Sequence, residues 1–178
     1  MDKETEQRKS GLLKQMEDFF QSDEGVEEAS IFTAEELGTP MDMLRIFVTD
    51  YGPGLIDILG EFSFIPFEGP QEVWYFSSVL TIMTGIPKDG VSSLAGAISR
   101  LNFYMPYGCF AISPDGDMLV YKAVTAVRAD HDDKVIYEDI ELSADKALTF
   151  AENYTDLLIK VADGGMPLKD FIDTLPEG

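Results

Sequence analysis

Apolar and polar residues alternate along this chain with two different periods, and the period separates predicted helices from predicted strands. Near the start, apolar residues recur at helical spacing, which predicts one amphipathic helix from about residue 9 to 22. They are Leu12, Leu13, Met16, Phe19 and Phe20. The charged residues 1–9 are expected to be frayed. Residues 21–40 are acidic and interrupted by Gly and Pro, which predicts a long connection with one helical turn in "TAEEL".

Period-two alternation then predicts three strands, Leu44–Asp50, Ile56–Ile65 and Val73–Met83, with turn signals at 51–54 and 66–70. The third strand is apolar on both faces. One face carries Trp74, Phe76, Leu80 and Ile82, and the other carries Val73, Tyr75, Val79 and Met83. A solvated face would be more polar, so we expect another element or another molecule to cover this second face.

The second half of the chain begins with a predicted helix that has an apolar stripe of Leu94, Ile98 and Leu101. Its small residues at 95–97 would let it lie close to a sheet or to a second helix. Residues 107–127 predict a β-hairpin, because "SPDGD" (113–117) places Pro and Gly where a tight turn needs them.

After a polar loop at 128–134, a helix is predicted from about 144 to 162, with Ser143 as its N-cap and Gly164 and Gly165 as its stop. A short extra helix follows at 167–174. The predicted order is therefore α-β-β-β-α-β-β-α plus this short helix. Strands joined by tight turns pair antiparallel, so we expect one α+β domain over residues 1–178, an antiparallel sheet with helices packed on it.

Charge narrows the range of partners. The chain holds 33 acidic against 13 basic residues, a formal net charge of −20. Such a field repels phosphate backbones and anionic lipid headgroups, so we expect neither nucleic-acid nor membrane binding. The charge either keeps a partly apolar surface soluble or selects basic partners. A lone cysteine, a charged start and no apolar run near the roughly 20 residues of a membrane span predict a cytoplasmic protein.

The candidate chemistry is sparse. Cys109 is the only cysteine and His131 the only histidine. They could form a nucleophile–base pair, but no sequence feature draws them together, and a lone strand cysteine is more typically a small buried residue. The sequence contains no nucleotide-binding, zinc or nucleophile-elbow motif. We therefore predict no enzymatic activity, no catalytic residue and no cofactor.

Two acidic stretches could bind metal. Asp115 and Asp117 flank Gly116 as in a calcium loop, but the positions that follow lack the alternating ligands, so a Pro-Asp-Gly turn explains them better. The stretch from Asp130 to Asp133 could hold a divalent ion weakly, although a solvated loop tip is the commoner explanation. A metal-responsive module is therefore an alternative, and we assign no metal ligand.

The apolar and aromatic residues outside the predicted core stripes are more informative than these candidate metal and catalytic residues. Tyr104, Met105 and Tyr107 follow a helix that already has its core stripe, and Tyr75 and Val79 lie on the second face of a strand. Exposed Tyr and Met are enriched in protein–protein interfaces. We predict that these five residues bind a partner or form a dimer interface, with ordinary core packing as the alternative.

The segment "LAGAISRLNFYMPYGCFAISPDGDMLVYKAVTAV" resembles the centre of the YbjN and type III secretion chaperone-like family. The shared features are a helix ending in Leu101-Asn102, an aromatic break, a glycine-bearing strand, the Asp115-Gly116 turn and a returning strand. The resemblance covers about residues 9 to 162. It implies an α+β homodimer without a signature catalytic residue, which binds extended segments of partner proteins.

We therefore expect a non-enzymatic, chaperone-like protein that covers an apolar segment of a partner protein and forms a homodimer. A small ligand-binding domain or an enzyme is the alternative, and it would require a deep pocket with converging polar groups.

Overall fold

A computed structural model describes residues 3–66 and 72–176. These residues form a six-stranded sheet in the order β1-β2-β3-β4-β6-β5, with every neighbouring pair antiparallel. The elements are α1 (Lys3–Gln21), β1 (Val26–Phe32), α2 (Ala34–Leu37), β2 (Met43–Tyr51), β3 (Ile56–Ile65), β4 (Val73–Thr84), α3 (Val91–Leu101), β5 (Cys109–Ile112), β6 (Met118–Arg128), α4 (Asp133–Ala162) and α5 (Leu168–Ile172). The predicted α+β class is confirmed, and the order broadly matches. In the described residues, no helix combines the length and apolar character needed to cross a membrane.

One side of the sheet, here called the closed face, carries the core. Alternate residues of each strand point to it. Its fully buried members include Leu44, Ile46, Ile58, Phe62, Phe76, Leu80, Phe110 and Tyr121, all essentially inaccessible to solvent. They lie in register across the sheet, since Leu44 pairs with Phe62 and Leu80 with Tyr121. The sheet therefore has one continuous apolar surface, and the helices pack on it.

Ring stacking joins α1 to this face, and hydrogen bonds join α4 to it. Phe20 of α1 stacks on Phe62 with 5.4 Å between ring centroids. Beneath α4, the hydroxyls of Tyr107, Thr125 and Ser143 form a triangle with sides of 2.7, 2.8 and 2.9 Å. Each of these partly or fully buried hydroxyls thus has two hydrogen-bonding neighbours, which offsets the loss of water.

The small residues of α3 allow a second helix to pack closely, as expected. A Cβ on Gly96 would stand 2.9 Å from Leu168 Cδ2, so α5 lies close against this side of α3. A Cβ on Gly90 would stand 1.9 Å from the carbonyl oxygen of Ala162, because the start of α3 touches the end of α4. Helices can approach this closely only where side chains are small.

The predicted hairpin is present, with β5 and β6 joined by a turn at Ser113–Asp117. The Ser113 hydroxyl donates to Asp115, and Ser113 Oγ accepts from the N–H groups of Asp117 and Met118. Gly116 has φ +80°, which glycine adopts without strain. These hydrogen bonds within the turn use Asp115 in the way the turn hypothesis requires.

The prediction that residues 1–9 are frayed is wrong for the described part, because α1 begins at Lys3. Arg8 explains the order of this end. Its guanidinium donates to the carbonyls of Ala129 and His131 and to the Asp133 carboxylate, and it lies 5.0 Å from the centre of the Trp74 ring. Tertiary contacts therefore hold a segment whose composition suggests a loose start.

The prediction of a connection over 21–40 is also wrong, because the segment contains the edge strand β1 and the helical turn α2. The helical turn in "TAEEL" is present, with Thr33 and Glu36 forming a capping box. β1 was missed because its pairing with β2 shifts between Val26 and Glu28, which breaks the alternation, and because exposed glutamates are common on an edge strand.

The helix predicted from 144 begins at Asp133, so Ser143 is not its N-cap. Ser143 is buried in the middle of α4, and Asp132 occupies the N-cap position. Ile136 and Ile140 continue the apolar stripe of α4 by two turns on the N-terminal side of Ala144. The loop is shorter than the predicted 128–134, because α4 already begins at Asp133. The C-terminal helix predicted at 167–174 is present as α5, over Leu168–Ile172.

Candidate functional site

The opposite side of the sheet, here called the open face, carries the other half of each strand's residues. Its first apolar row crosses five strands in register: Phe47, Leu59, Thr81, Val120 and Ala111. All five are half-buried, although the contacts described above place the helices on the closed face. The open face has a second apolar row, which crosses only three strands.

A mixed row runs beside the first. It contains Arg45, Glu61, Val79, Lys122 and Cys109 in register. Arg45 Nε donates to Glu61 at 2.8 Å, and the Arg45 guanidinium lies 5.0 Å from the centre of the Phe32 ring. The charges of Arg45 and Glu61 therefore cancel locally, and Val79 interrupts the polar row with an apolar side chain.

The second apolar row lies at the other end of the open face. Ile65, Tyr75 and Ala126 lie in register, and Val124 beside them is 50% exposed. Ser63 and Ser77, which face each other between the rows, are small and buried. The open face is consequently a broad surface with apolar rows at both ends.

The open face is shallow. At its β1–β3 end, Phe32, Phe47 and Leu59 line a depression of about 220 Å³ together with Glu28 and Arg45. The depression opens to solvent, and its polar groups are one acid and one base, of which Arg45 is already paired with Glu61. Pockets for small ligands enclose about 300 to 1,000 Å³. The geometry of this depression suits contact with a surface better than enclosure of a molecule.

Asn102 caps the outer edge of β5. Its side-chain amide donates to the Phe110 carbonyl at 2.9 Å, and its amide oxygen accepts from the Phe110 N–H at 2.9 Å. The side chain thus makes both hydrogen bonds that a neighbouring strand would offer. Such caps discourage edge-to-edge pairing. Strand addition at the centre of β5 would require Asn102 to leave.

Side chains of α1 cap the opposite edge of the sheet. Glu17 accepts from the Ile31 N–H at 3.0 Å, and Gln21 donates to the Ala29 carbonyl at 3.0 Å. Glu17 is itself buried and paired with Lys14. Both edges therefore have backbone groups occupied by the protein's own side chains, and the open face is the more accessible surface for a partner.

The five predicted partner-binding residues do not form one patch. Tyr75 and Val79 lie four residues apart on β4 and share the open face. Tyr107 belongs to the other side, because its hydroxyl bonds to Thr125 and Ser143 and its ring packs 6.1 Å from the Phe150 ring. Tyr107 therefore has a structural role in the packing of α4.

Tyr104 and Met105 lie at a third location, after the end of α3. Met105 is half-buried against the core, whereas Tyr104 lines an open depression of about 400 Å³ with Arg100, Ile172 and Leu175. Phe103 packs edge-on against Tyr104 at 5.2 Å and is 83% exposed. Tyr104 and Phe103 thus form a small aromatic surface beside α5.

The Cys109–His131 hypothesis has no geometric support. Cys109 is exposed at the open face opposite Lys122, so the prediction that it is buried is wrong. His131 is exposed beyond Arg128, which ends β6. Lys122 and Arg128 are six residues apart on one strand, a distance of about 20 Å. The strand therefore separates the two side chains.

Two arginine side chains form ion pairs with the stretch Asp130–Asp133. Arg128 donates to both Asp130 oxygens, at 2.8 and 2.7 Å, and this hydrogen bonding lowers the pKa of Asp130 to about 2. Asp133 accepts from Arg8 at 2.6 Å. Within residues 3–66 and 72–176, no group of three His, Cys, Asp or Glu side chains has the arrangement of a metal site.

Sequence reasoning missed several surface residues. The alternation that marked Leu44, Ile46 and Val48 as one face also marks Phe47 as a member of the other, and Leu59 and Val120 follow in the same way. The edge cap of Asn102 has no signal in the sequence, because it depends on the position of α3 beside β5. A comparison with protein-family models finds no family that matches this chain, and a comparison with curated proteins finds no match.

Proposed function

We propose that this protein is a non-enzymatic, chaperone-like binding module whose open face covers an extended apolar segment of a partner protein. The observation that carries the proposal is the open face itself. It has two apolar rows on the side away from the packed helices, while both sheet edges are capped by Asn102, Glu17 and Gln21.

The spacing of the rows favours an extended segment. Neighbouring strands lie about 4.8 Å apart, so Phe47, Leu59 and Val120 span roughly 14 Å across the sheet. Side chains on one side of an extended segment are about 6.6 Å apart. Two or three apolar side chains of a partner could therefore contact this row at once, without a deep pocket.

Charge supports a protein partner on this face. The whole chain carries a net charge of −20, but the open face combines Arg45 and Lys122 with Glu28 and Glu61. A partner segment would meet little net repulsion there. The acidic remainder would keep the complex soluble. The resemblance to YbjN and type III secretion chaperone-like proteins is part of this proposal, supported by the α+β class and the order of elements.

The test replaces apolar residues of the open face with acids. A Val79→Asp/Val124→Asp variant should retain the circular dichroism spectrum of the wild type and lose at least about tenfold in affinity for a reduced, permanently unfolded model protein. Ala95→Asp/Ser99→Asp, at two exposed positions of α3, adds the same charge and is the control. Equal binding by the wild type and the double variant, or no binding by the wild type, would contradict the proposal.

Tyr104 requires a separate variant, because it lies away from the open face. Tyr104→Asp alone is informative, whereas Met105→Asp would place a charge against the core and could unfold the protein. If Tyr104→Asp abolishes binding and the Val79→Asp/Val124→Asp variant does not, the partner surface is the one beside α5.

A homodimer through the open face is the second candidate. Two rows across five strands and two rows across three strands give roughly 500 Å² per copy, slightly below the roughly 600 Å² per partner of the smallest standard interfaces. The balanced charges favour this face, because two copies would repel each other through most other surfaces. Light scattering across a dilution series should then give twice the monomer mass for the wild type and the monomer mass for the Val79→Asp/Val124→Asp variant.

A further inference from the structure

A second surface lies on the outer side of the helices, away from the open face. Between α1 and the first half of α4, a groove of about 320 Å³ is lined by Phe19, Glu138, Glu141, Leu142 and Asp145. The helices lie between this groove and the closed face of the sheet. The groove is therefore distinct from the open face to which the proposed function refers.

The floor of the groove is apolar and accessible. Phe19 is 40% exposed and Leu142 is 50% exposed, whereas their neighbours Phe20 and Ile140 are buried in the core. Val135, also 40% exposed, lies seven residues before Leu142, which is two helical turns or about 10.5 Å along the same side of α4. Exposed apolar side chains in a groove are typical of a docking surface.

The rim of the groove is acidic. Glu138, Glu141 and Asp145 follow each other at spacings of three and four residues, so they line one flank of α4 about one turn apart. Glu138 pairs with Lys134 at 3.7 Å. Within the described residues, Glu141 and Asp145 make no ion pair with a lysine or an arginine. This flank therefore offers a row of carboxylates to an approaching cation.

We propose that this groove binds a basic amphipathic helix of a partner protein. Apolar side chains of the helix would contact Phe19 and Leu142, and lysines or arginines spaced one turn apart would pair with the three carboxylates. A purely apolar partner would desolvate these carboxylates without compensation. A second copy of this chain would bring its own charge of −20 to an acidic surface.

The probe is a fluorescent, amidated peptide of about 18 residues, or five turns, with leucines on one helical face and lysines on its flanks. A scrambled peptide of the same composition lacks the apolar face. Fluorescence anisotropy with the full-length protein at physiological salt should show binding of the amphipathic peptide. It should show at least about tenfold weaker binding of the scrambled one.

A matched pair of variants separates the groove from general attraction to an acidic protein. Glu138→Gln/Glu141→Gln/Asp145→Asn should weaken binding at least about tenfold, because three ion pairs are lost. Glu24→Gln/Glu27→Gln/Glu35→Gln removes the same charge from other exposed positions and should change affinity less than about twofold. Equal losses from both triple variants would overturn the proposal, as would equal binding of the two peptides or no binding at all.

The apolar floor has its own control. Leu142→Ser should weaken binding, whereas Leu55→Ser, at an exposed position between β2 and β3 that belongs to neither proposed surface, should not. The Val79→Asp/Val124→Asp variant should bind the peptide like the wild type. The groove and the proposed function of the open face can therefore fail independently.

Discussion

Both faces of the central strand β4 are apolar, but the helices of the protein cover only one of them. Phe76 and Leu80 point to the closed face and have no exposed surface, whereas Tyr75 and Val79 on the open face are half-buried. The closed face has larger side chains and a layer of helices. Apolar alternation thus identifies a surface that can be covered, while the remaining elements decide whether the chain itself covers it.

The same distinction holds for hydrogen bonds. Side chains satisfy backbone groups at both sheet edges, so the protein leaves an apolar face accessible while it protects its strand edges. Exposed edges allow open-ended pairing, whereas a face allows a limited contact. Substitutions on the closed face should therefore destabilise the protein more than substitutions on the open face.

Phe76→Ala should lower the free energy of unfolding by about 3–5 kcal/mol, because it leaves a cavity between sheet and helices. Val79→Ala, on the opposite face of the same strand, should cost less than about 1 kcal/mol. Urea unfolding monitored by circular dichroism measures both changes. Similar losses for the two variants would mean that the open face is as well packed as the closed face.

Asn102→Ala should cost about 1–3 kcal/mol, since it leaves both backbone groups of Phe110 without their partner. It should also favour concentration-dependent assembly, which light scattering detects, because the edge of β5 becomes available. Asn153→Ala, an exposed position on α4, is the control. A monomeric Asn102→Ala protein of wild-type stability would contradict the proposed role of the edge cap.

Alkaline pH should affect the closed face selectively. Burial raises the pKa of Tyr51 and of Tyr121. A raised pKa in the folded state means that the stability linked to these hydroxyls is fully present below the ordinary pKa of about 10 and is lost as pH rises above it. Tyrosinate absorbance and circular dichroism should change together above pH of about 10.

The control for this alkaline transition is the variant Tyr51→Phe/Tyr121→Phe. Its free energy of unfolding should fall less steeply with rising pH than that of the wild type. It also loses two hydrogen bonds, to the carbonyls of Leu148 and Tyr107, so its stability at neutral pH serves as the reference. If the steepness of the alkaline transition is unchanged, other groups control it.

The smallest expected effect concerns two adjacent serines. Ser78 is fully buried on the closed face, and its hydroxyl has no hydrogen-bond partner among the described residues. Ser78→Ala should therefore keep or raise the free energy of unfolding, by up to about 1 kcal/mol. Ser77→Ala on the open face should change it by less than about 0.5 kcal/mol. A clear loss of stability in Ser78→Ala would show that this hydroxyl is satisfied in solution.

Local signals in the sequence were sufficient for several elements. Alternation identified β2, β3 and β4 within a few residues, and the Pro-Asp-Gly turn identified the β5–β6 hairpin. These elements depend on interactions between neighbours in the sequence, such as period-two burial and the φ of Gly116. The α+β class follows from them. The apolar second face of β4 was also recognised, although which residues share it required the register.

The tertiary structure decided the remainder. β1 exists because β2 offers it an edge, α1 starts early because Arg8 reaches the loop before α4, and Cys109 is exposed because its side of β5 belongs to the open face. Asn102 and the groove between α1 and α4 likewise depend on contacts between distant segments. The sequence by itself determined the elements and their apolar faces, because those arise from local periodicity. Which faces and edges stay accessible was decided by packing, because contacts between distant segments leave no periodic signal.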